Sequence, residues 1–101
     1  MDIREAFYAA VLEMQTRTWD PAFPNQPTFP VNGDDLTIAE ICDRAKDIPD
    51  KLPDKVQDPL FKIMHSDPTL TRALSESRTY AMGAQCLSRI LAARSSPYRQ
   101  K

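Results

Sequence analysis

Cys42, Cys86 and His65 are the residues of this 101-residue chain whose types could hold a metal or attack a substrate. Their spacing supports neither. The cysteines stand 44 residues apart with no CxxC pair, and His65 is the sole histidine. A zinc site would need these three plus an acid brought together by tertiary structure alone, and a Cys–His nucleophile pair has no better support. Both cysteines read as buried or half-buried free thiols packing as small hydrophobes, ahead of a disulfide or redox pair. His65 closes the run Leu60–His65 and reads as a last-turn histidine interacting with the helix dipole. The acids follow surface patterns, with no close pair in an apolar setting that would shift a pKa. Asp34 and Asp35 precede a helix and read as capping charge. The only glycines, Gly33 and Gly83, are fifty residues apart, which removes any glycine-rich phosphate cradle. The expectation is a non-enzymatic protein with no cofactor, no metal and no small-molecule substrate.

Composition sets the frame around these residues. Thirteen Lys+Arg against fourteen Asp+Glu leave a net charge of −1, and 42% of the residues are hydrophobic. That fraction is too high for a disordered chain, and the length suits one modest core. No apolar run of about 18 residues occurs, so no membrane span is expected. The opening Met1-Asp2-Ile3-Arg4-Glu5 lacks the basic patch and apolar stretch of a signal peptide, so the cytoplasm is the expected compartment. Balanced charge argues against a general nucleic-acid binder.

Helical periodicity dominates the chain. Ile3, Phe7, Ala10, Val11 and Met14 predict an amphipathic helix over 3–16, with Asp2 and Glu5 as a capping box. A thinner second stripe runs through Tyr8, Leu12 and Trp19. Pro21, Pro24, Pro27 and Pro30 recur every three residues, the period of polyproline II. Residues 20–33 therefore read as an extended strap, with Phe23 and Phe29 on one edge packed across the chain's own helices. Asn32-Gly33 makes a turn. Thr37 and Glu40 form a second capping box for a helix over 37–46, with Ile38, Ile41, Cys42 and Ala45 on its inner face. Pro49-Asp50-Lys51-Leu52 and Pro53-Asp54-Lys55-Val56 read as one or two helical turns that point Leu52 and Val56 inward. Asp58-Pro59 and Asp67-Pro68 read as two further helix starts. The second opens a helix over 68–94, whose core face is Leu70, Leu74, Ala81, Ala84, Leu87 and Leu91. At about 40 Å that helix is long enough for Gly83 to interrupt it or for an end to project.

No run alternates apolar and polar residues between turns, so no strand is expected. The predicted fold is all-α: a compact bundle of four to five helices with a proline-rich strap over 20–33 and a long C-terminal helix. Residues 1–94 form a single helical domain and 95–101 a flexible tail.

The capped segment Leu36–Ala45, with its Ala-Glu-Ile core, resembles the first helix of a bacterial helix-turn-helix. The resemblance implies a tight turn and then a recognition helix carrying Arg, Asn, Gln, Ser or Thr to base edges. The residues after Ala45 are instead Lys46-Asp47-Ile48-Pro49-Asp50-Lys51-Leu52-Pro53-Asp54, and residues 34–58 hold eight acids and four bases. That balance opposes the phosphate field, so nucleic acid is not the expected partner. Residues 72–101 carry the opposite balance, six bases against Glu76. The basic helix faces the chain's own acidic middle or solvent, unless an acidic protein partner or a nucleic acid takes it.

Met82, Cys86, Ile90 and Ala93 stand at i, i+4, i+8 and i+11, flanked by Arg78 and Arg89. If exposed, this strip is an adaptable protein-binding surface, and if the strap covers it, an internal seam. The functional expectation is a small helical protein–protein interaction module, an adaptor or inhibitor that binds a larger protein or itself as a homodimer. The alternatives are a small DNA-binding regulator of helix-turn-helix type and a helical accessory subunit of an enzyme.

Overall fold

The computed structural model describes residues 1–16, 27–64, 69, 72 and 76–95, with the side chains of residues 16, 64 and 93–95 excepted. Along the chain come α1 (Ile3–Thr16), β1 (Thr28–Val31), β2 (Asp34–Thr37), α2 (Ile38–Ala45), α3 (Asp54–Met64) and α4 (Tyr80–Ser95). The all-α expectation is therefore corrected: among the described residues, four helices accompany a two-stranded antiparallel sheet. No helix among them is long and apolar enough to cross a membrane.

The sheet occupies the end of the expected strap. β1 and β2 pair in the register Thr28↔Thr37, Phe29↔Leu36, Pro30↔Asp35 and Val31↔Asp34. Asn32 and Gly33 form the loop at φ 52° and 95°, because a two-residue hairpin needs left-handed backbone at both positions. Such a loop makes Val31↔Asp34 a hydrogen-bonded pair and leaves Pro30↔Asp35 non-bonded, so proline removes no ladder bond. The Pro30 carbonyl instead accepts from the Met1 ammonium at 3.3 Å. The Asn32 N–H returns a bond to the Met1 carbonyl, also 3.3 Å. Val31 and Leu36 enter the core, and Phe29 packs half-buried against it. Phe23 and residues 20–26 of the strap lie outside the described residues.

Gly33→Ala isolates the backbone demand of this turn. A Cβ there would meet nothing within 4 Å, so only the left-handed φ opposes it. We expect a loss of about 1–2 kcal/mol in equilibrium denaturation.

Both capping boxes form. The Glu5 N–H donates to Asp2 Oδ1 at 2.9 Å and the Asp2 N–H to Glu5 Oε1 at 3.0 Å. At α2 the Glu40 N–H donates to Thr37 Oγ1 at 3.3 Å and the Thr37 N–H to Glu40 Oε1 at 2.9 Å. α1 buries Phe7, Ala10, Val11 and Met14, and α2 buries Ile38, Ile41, Cys42 and Ala45, as their periods require. α3 differs from expectation: it starts at Asp54 and runs through Pro59, so Asp58-Pro59 is not a helix start. His65, Asp67-Pro68, Leu70 and Leu74 lie outside the described residues.

The expected helix over 68–94 is broken. Ser77, Arg78 and Thr79 leave helical geometry although no glycine or proline stands there. Lys51 and Thr79 pair as an isolated antiparallel bridge. The Leu52 N–H donates to the Arg78 carbonyl at 3.0 Å, and the Tyr80 N–H to the Asp50 carbonyl at 3.2 Å. Thr79 then caps α4, its Oγ1 accepting from the Met82 N–H at 3.3 Å. These tertiary bonds end the helix where local propensity would continue it. Arg4 pairs with Asp50, and Phe7 packs edge-on to Tyr80 with ring centroids 5.5 Å apart. The start of α1 thus anchors both sides of the bridge. Gly83 does not interrupt α4; its bare Cα admits Leu52 and Leu60 of the α3 side and Phe7 of α1. α1 packs on α2 and α3, and α2 packs on α4.

Candidate functional site

The phase of α4 decides which of its side chains a partner could meet. Tyr80, Ala84, Cys86, Leu87, Ile90 and Leu91 are buried in the common core. Met82, Gln85, Arg89 and Ala92 share the outer face, and Arg78 is exposed just ahead of the helix. The sequence strip of Met82, Cys86, Ile90 and Ala93 is corrected accordingly. Cys86 and Ile90, 4% and 5% exposed, belong to the interior, while Met82 is 38% exposed. The side chain of Ala93 is not among those described. Small and apolar residues surround α4 on most sides, so periodicity alone leaves its rotation open, and tertiary contacts choose it.

Charge on this outer face is of one sign. Arg78 and Arg89 are exposed, and neither joins an ion pair among the described residues. The chain's acidic middle instead pairs Asp50 with Arg4 and Asp43 with Lys46, the latter at 3.0 Å. From residue 77 to the end of the sequence no acid occurs at all. A helix that exposes a methionine and an arginine, with a second exposed arginine just ahead of it, can offer apolar contact and bidentate carboxylate recognition.

α2 carries the neighbouring surface. Cys42 of α2 meets Ser88 of α4. Ala39 and Lys46 stand one turn to either side of Cys42, and Gln85 and Ala92 one turn to either side of Ser88. All four are exposed, on two helices that pack against each other. Ala39, Glu40, Asp43 and Arg44 line an open hollow along α2. Glu40 is held below the ordinary carboxylate range, chiefly by the backbone N–H of Thr37 and then by its hydroxyl.

The thiols lie beneath this surface. Cys86 Sγ lies 3.6 Å from Ser77 Oγ in the interior. Cys42 is fully buried, and burial pushes its thiol up to about 12, against weaker opposing effects of Ser88 and Lys46. An unfolded thiol begins to ionise near 9.0, whereas the folded one keeps its proton to about 12. Its contribution to stability is therefore intact below the lower value and declines as pH rises between the two, by at most about 1.4 kcal/mol per pH unit. Urea midpoints of wild type and Cys42→Ala should converge over that window, and parallel curves would contradict it.

Neither thiol, nor any acid near one, forms a metal centre: among the described residues no three His, Cys, Asp or Glu side chains converge. The helix-turn-helix resemblance meets a different geometry after α2. Eight residues separate Ala45 from Asp54, and the middle of that stretch is tied to Arg78 and Tyr80 rather than forming a tight turn. No family model matches this chain, and neither a curated protein nor a solved structure matches it.

Proposed function

We propose that this chain is a small non-enzymatic protein–protein interaction module of the cytoplasm, an adaptor or inhibitor that acts by binding a larger protein or a second copy of itself. The docking surface is the outer face of α4, with Arg78, Met82, Gln85 and Arg89. One observation carries the reading: Met82 is exposed and is flanked in sequence by two exposed arginines, Arg78 ahead of α4 and Arg89 on it, that have no ion-pair partner among the described residues. Arginine and methionine are enriched at interfaces, and lysine and glutamate depleted. Two free, buried thiols suit a reducing compartment.

The test compares the tagged wild-type chain with Arg78→Glu/Arg89→Glu, both expressed in the source cells. Proteins that co-purify are quantified side by side, and denaturation curves verify that both chains fold. The expected result is at least about a tenfold loss of the specific companion, since like-charge contacts at an interface are strongly unfavourable. Equal recovery by the two chains overturns the assignment of this surface.

A further inference from the structure

We propose that a second copy of this chain covers the α2–α4 face, forming a two-fold dimer in which the basic face of each α4 lies on the acidic side of the other copy's α2. The inference rests on the interaction surface assigned above and names its partner. Its ground is charge complementarity between the exposed sides of two helices that pack against each other in one chain. The α4 side offers Arg89 and Met82 on the helix and Arg78 just ahead of it, all exposed, and no acid occurs beyond residue 76. The α2 side offers Glu40, Asp43 and Asp47, all exposed, in the segment 34–58 that holds twice as many acids as bases.

The arrangement suits a two-fold axis. In an isologous pair, every contact between one surface and another occurs twice. Because α2 and α4 pack side by side around the Cys42–Ser88 contact, one axis over that seam can place each α4 against the other copy's α2. Met82, an unbranched side chain that adapts to irregular surfaces, then faces the open hollow lined by Ala39, Glu40, Asp43 and Arg44. Arg89 meets the acids at its rim. The exposed α2 face also carries Arg44 and Lys46, and Asp43 already pairs with Lys46 at 3.0 Å, so Arg89 of the other copy would share or displace that exposed pair.

A nucleic acid would meet the same acids as repulsion, so the occupant is a protein.

The experiment is a charge swap read by sedimentation equilibrium. Arg89→Asp and Asp43→Lys change exposed residues, and circular dichroism verifies that each variant folds. The wild-type chain should dimerise, with affinity falling about tenfold or more between roughly 0.05 and 0.5 M salt as screening shortens the reach of each charge. Each variant alone should lose at least about tenfold in self-affinity, while an equimolar mixture of the two should recover a dimer containing one of each. A wild type monomeric at millimolar concentration in low salt overturns the proposal, as does a dimer indifferent to salt and both variants, or a mixture no better than its components. A monomeric wild type whose companion protein is still lost on Arg78→Glu/Arg89→Glu would overturn this partner while leaving the interaction surface standing.

Discussion

Replacing Phe7 by alanine removes about 3–5 kcal/mol of stability, the usual range for truncating a buried aromatic. The size of the loss comes from position. Phe7 is fully buried, with 0% of its surface exposed, and its ring meets Tyr80 edge-on at 5.5 Å. Its Cζ also approaches the bare Cα of Gly83. Truncation therefore empties the junction of α1, α4 and the segment carrying Leu52. A domain of this size has roughly 5–15 kcal/mol in total, so the variant stands near its unfolding threshold at room temperature. Chemical denaturation with an unchanged m-value checks the loss, and a shift under about 1 kcal/mol would show that Phe7 is not the central support of that junction.

Gly83→Val should cost about 1–3 kcal/mol, by overpacking rather than by loss of contact. A Cβ at this position would stand 3.0 Å from Leu52 Cδ1, 3.5 Å from Phe7 Cζ and 3.6 Å from Leu60 Cδ1. Two further methyl carbons have no room among three buried side chains. Gly83→Ala is the informative contrast. Alanine gains up to about 1 kcal/mol of helix propensity, offset by moving the end of Leu52 a few tenths of an ångström, so its stability should lie close to wild type. The pair is measured by thermal denaturation, with valine well below alanine. The reverse order would place the close approach elsewhere.

Local chemistry made some of this fold legible in the sequence. Asp2 with Glu5, and Thr37 with Glu40, announce helix starts because both partners of each bond lie within four residues. The faces of α1 and α2 follow from their apolar periods. The hairpin was also announced, by Asn32-Gly33 between Thr28–Val31 and Asp34–Thr37. The proline period obscured it, although Pro30 occupies a non-bonded position that a strand tolerates. Pro59 misled for a related reason: a proline that reads as a helix start sits inside α3. The break at Ser77–Thr79 had no local sign, since its bonds come from residues nearly thirty positions away. The candidate surface suffered most. With Ala81, Ala84, Cys86, Leu87, Ile90, Leu91 and Ala92 spread around α4, the sequence admits more than one inner face: Met82, Arg78 and Arg89 are recognisable, Gln85 is not, and Cys86 and Ile90 belong inside.

The bridge between Lys51 and Thr79 has the effect of a phase lock. It fixes where α4 begins, and each residue of helix turns the chain about 100°. One residue added ahead of Tyr80 would hand every later side chain the station of its successor. Arg89 would then enter the place of Ile90, Gln85 that of Cys86, and Met82 the close approach now made by Gly83. The division of this helix into an inside and an outside is thus held less by its composition than by two backbone bonds at its threshold.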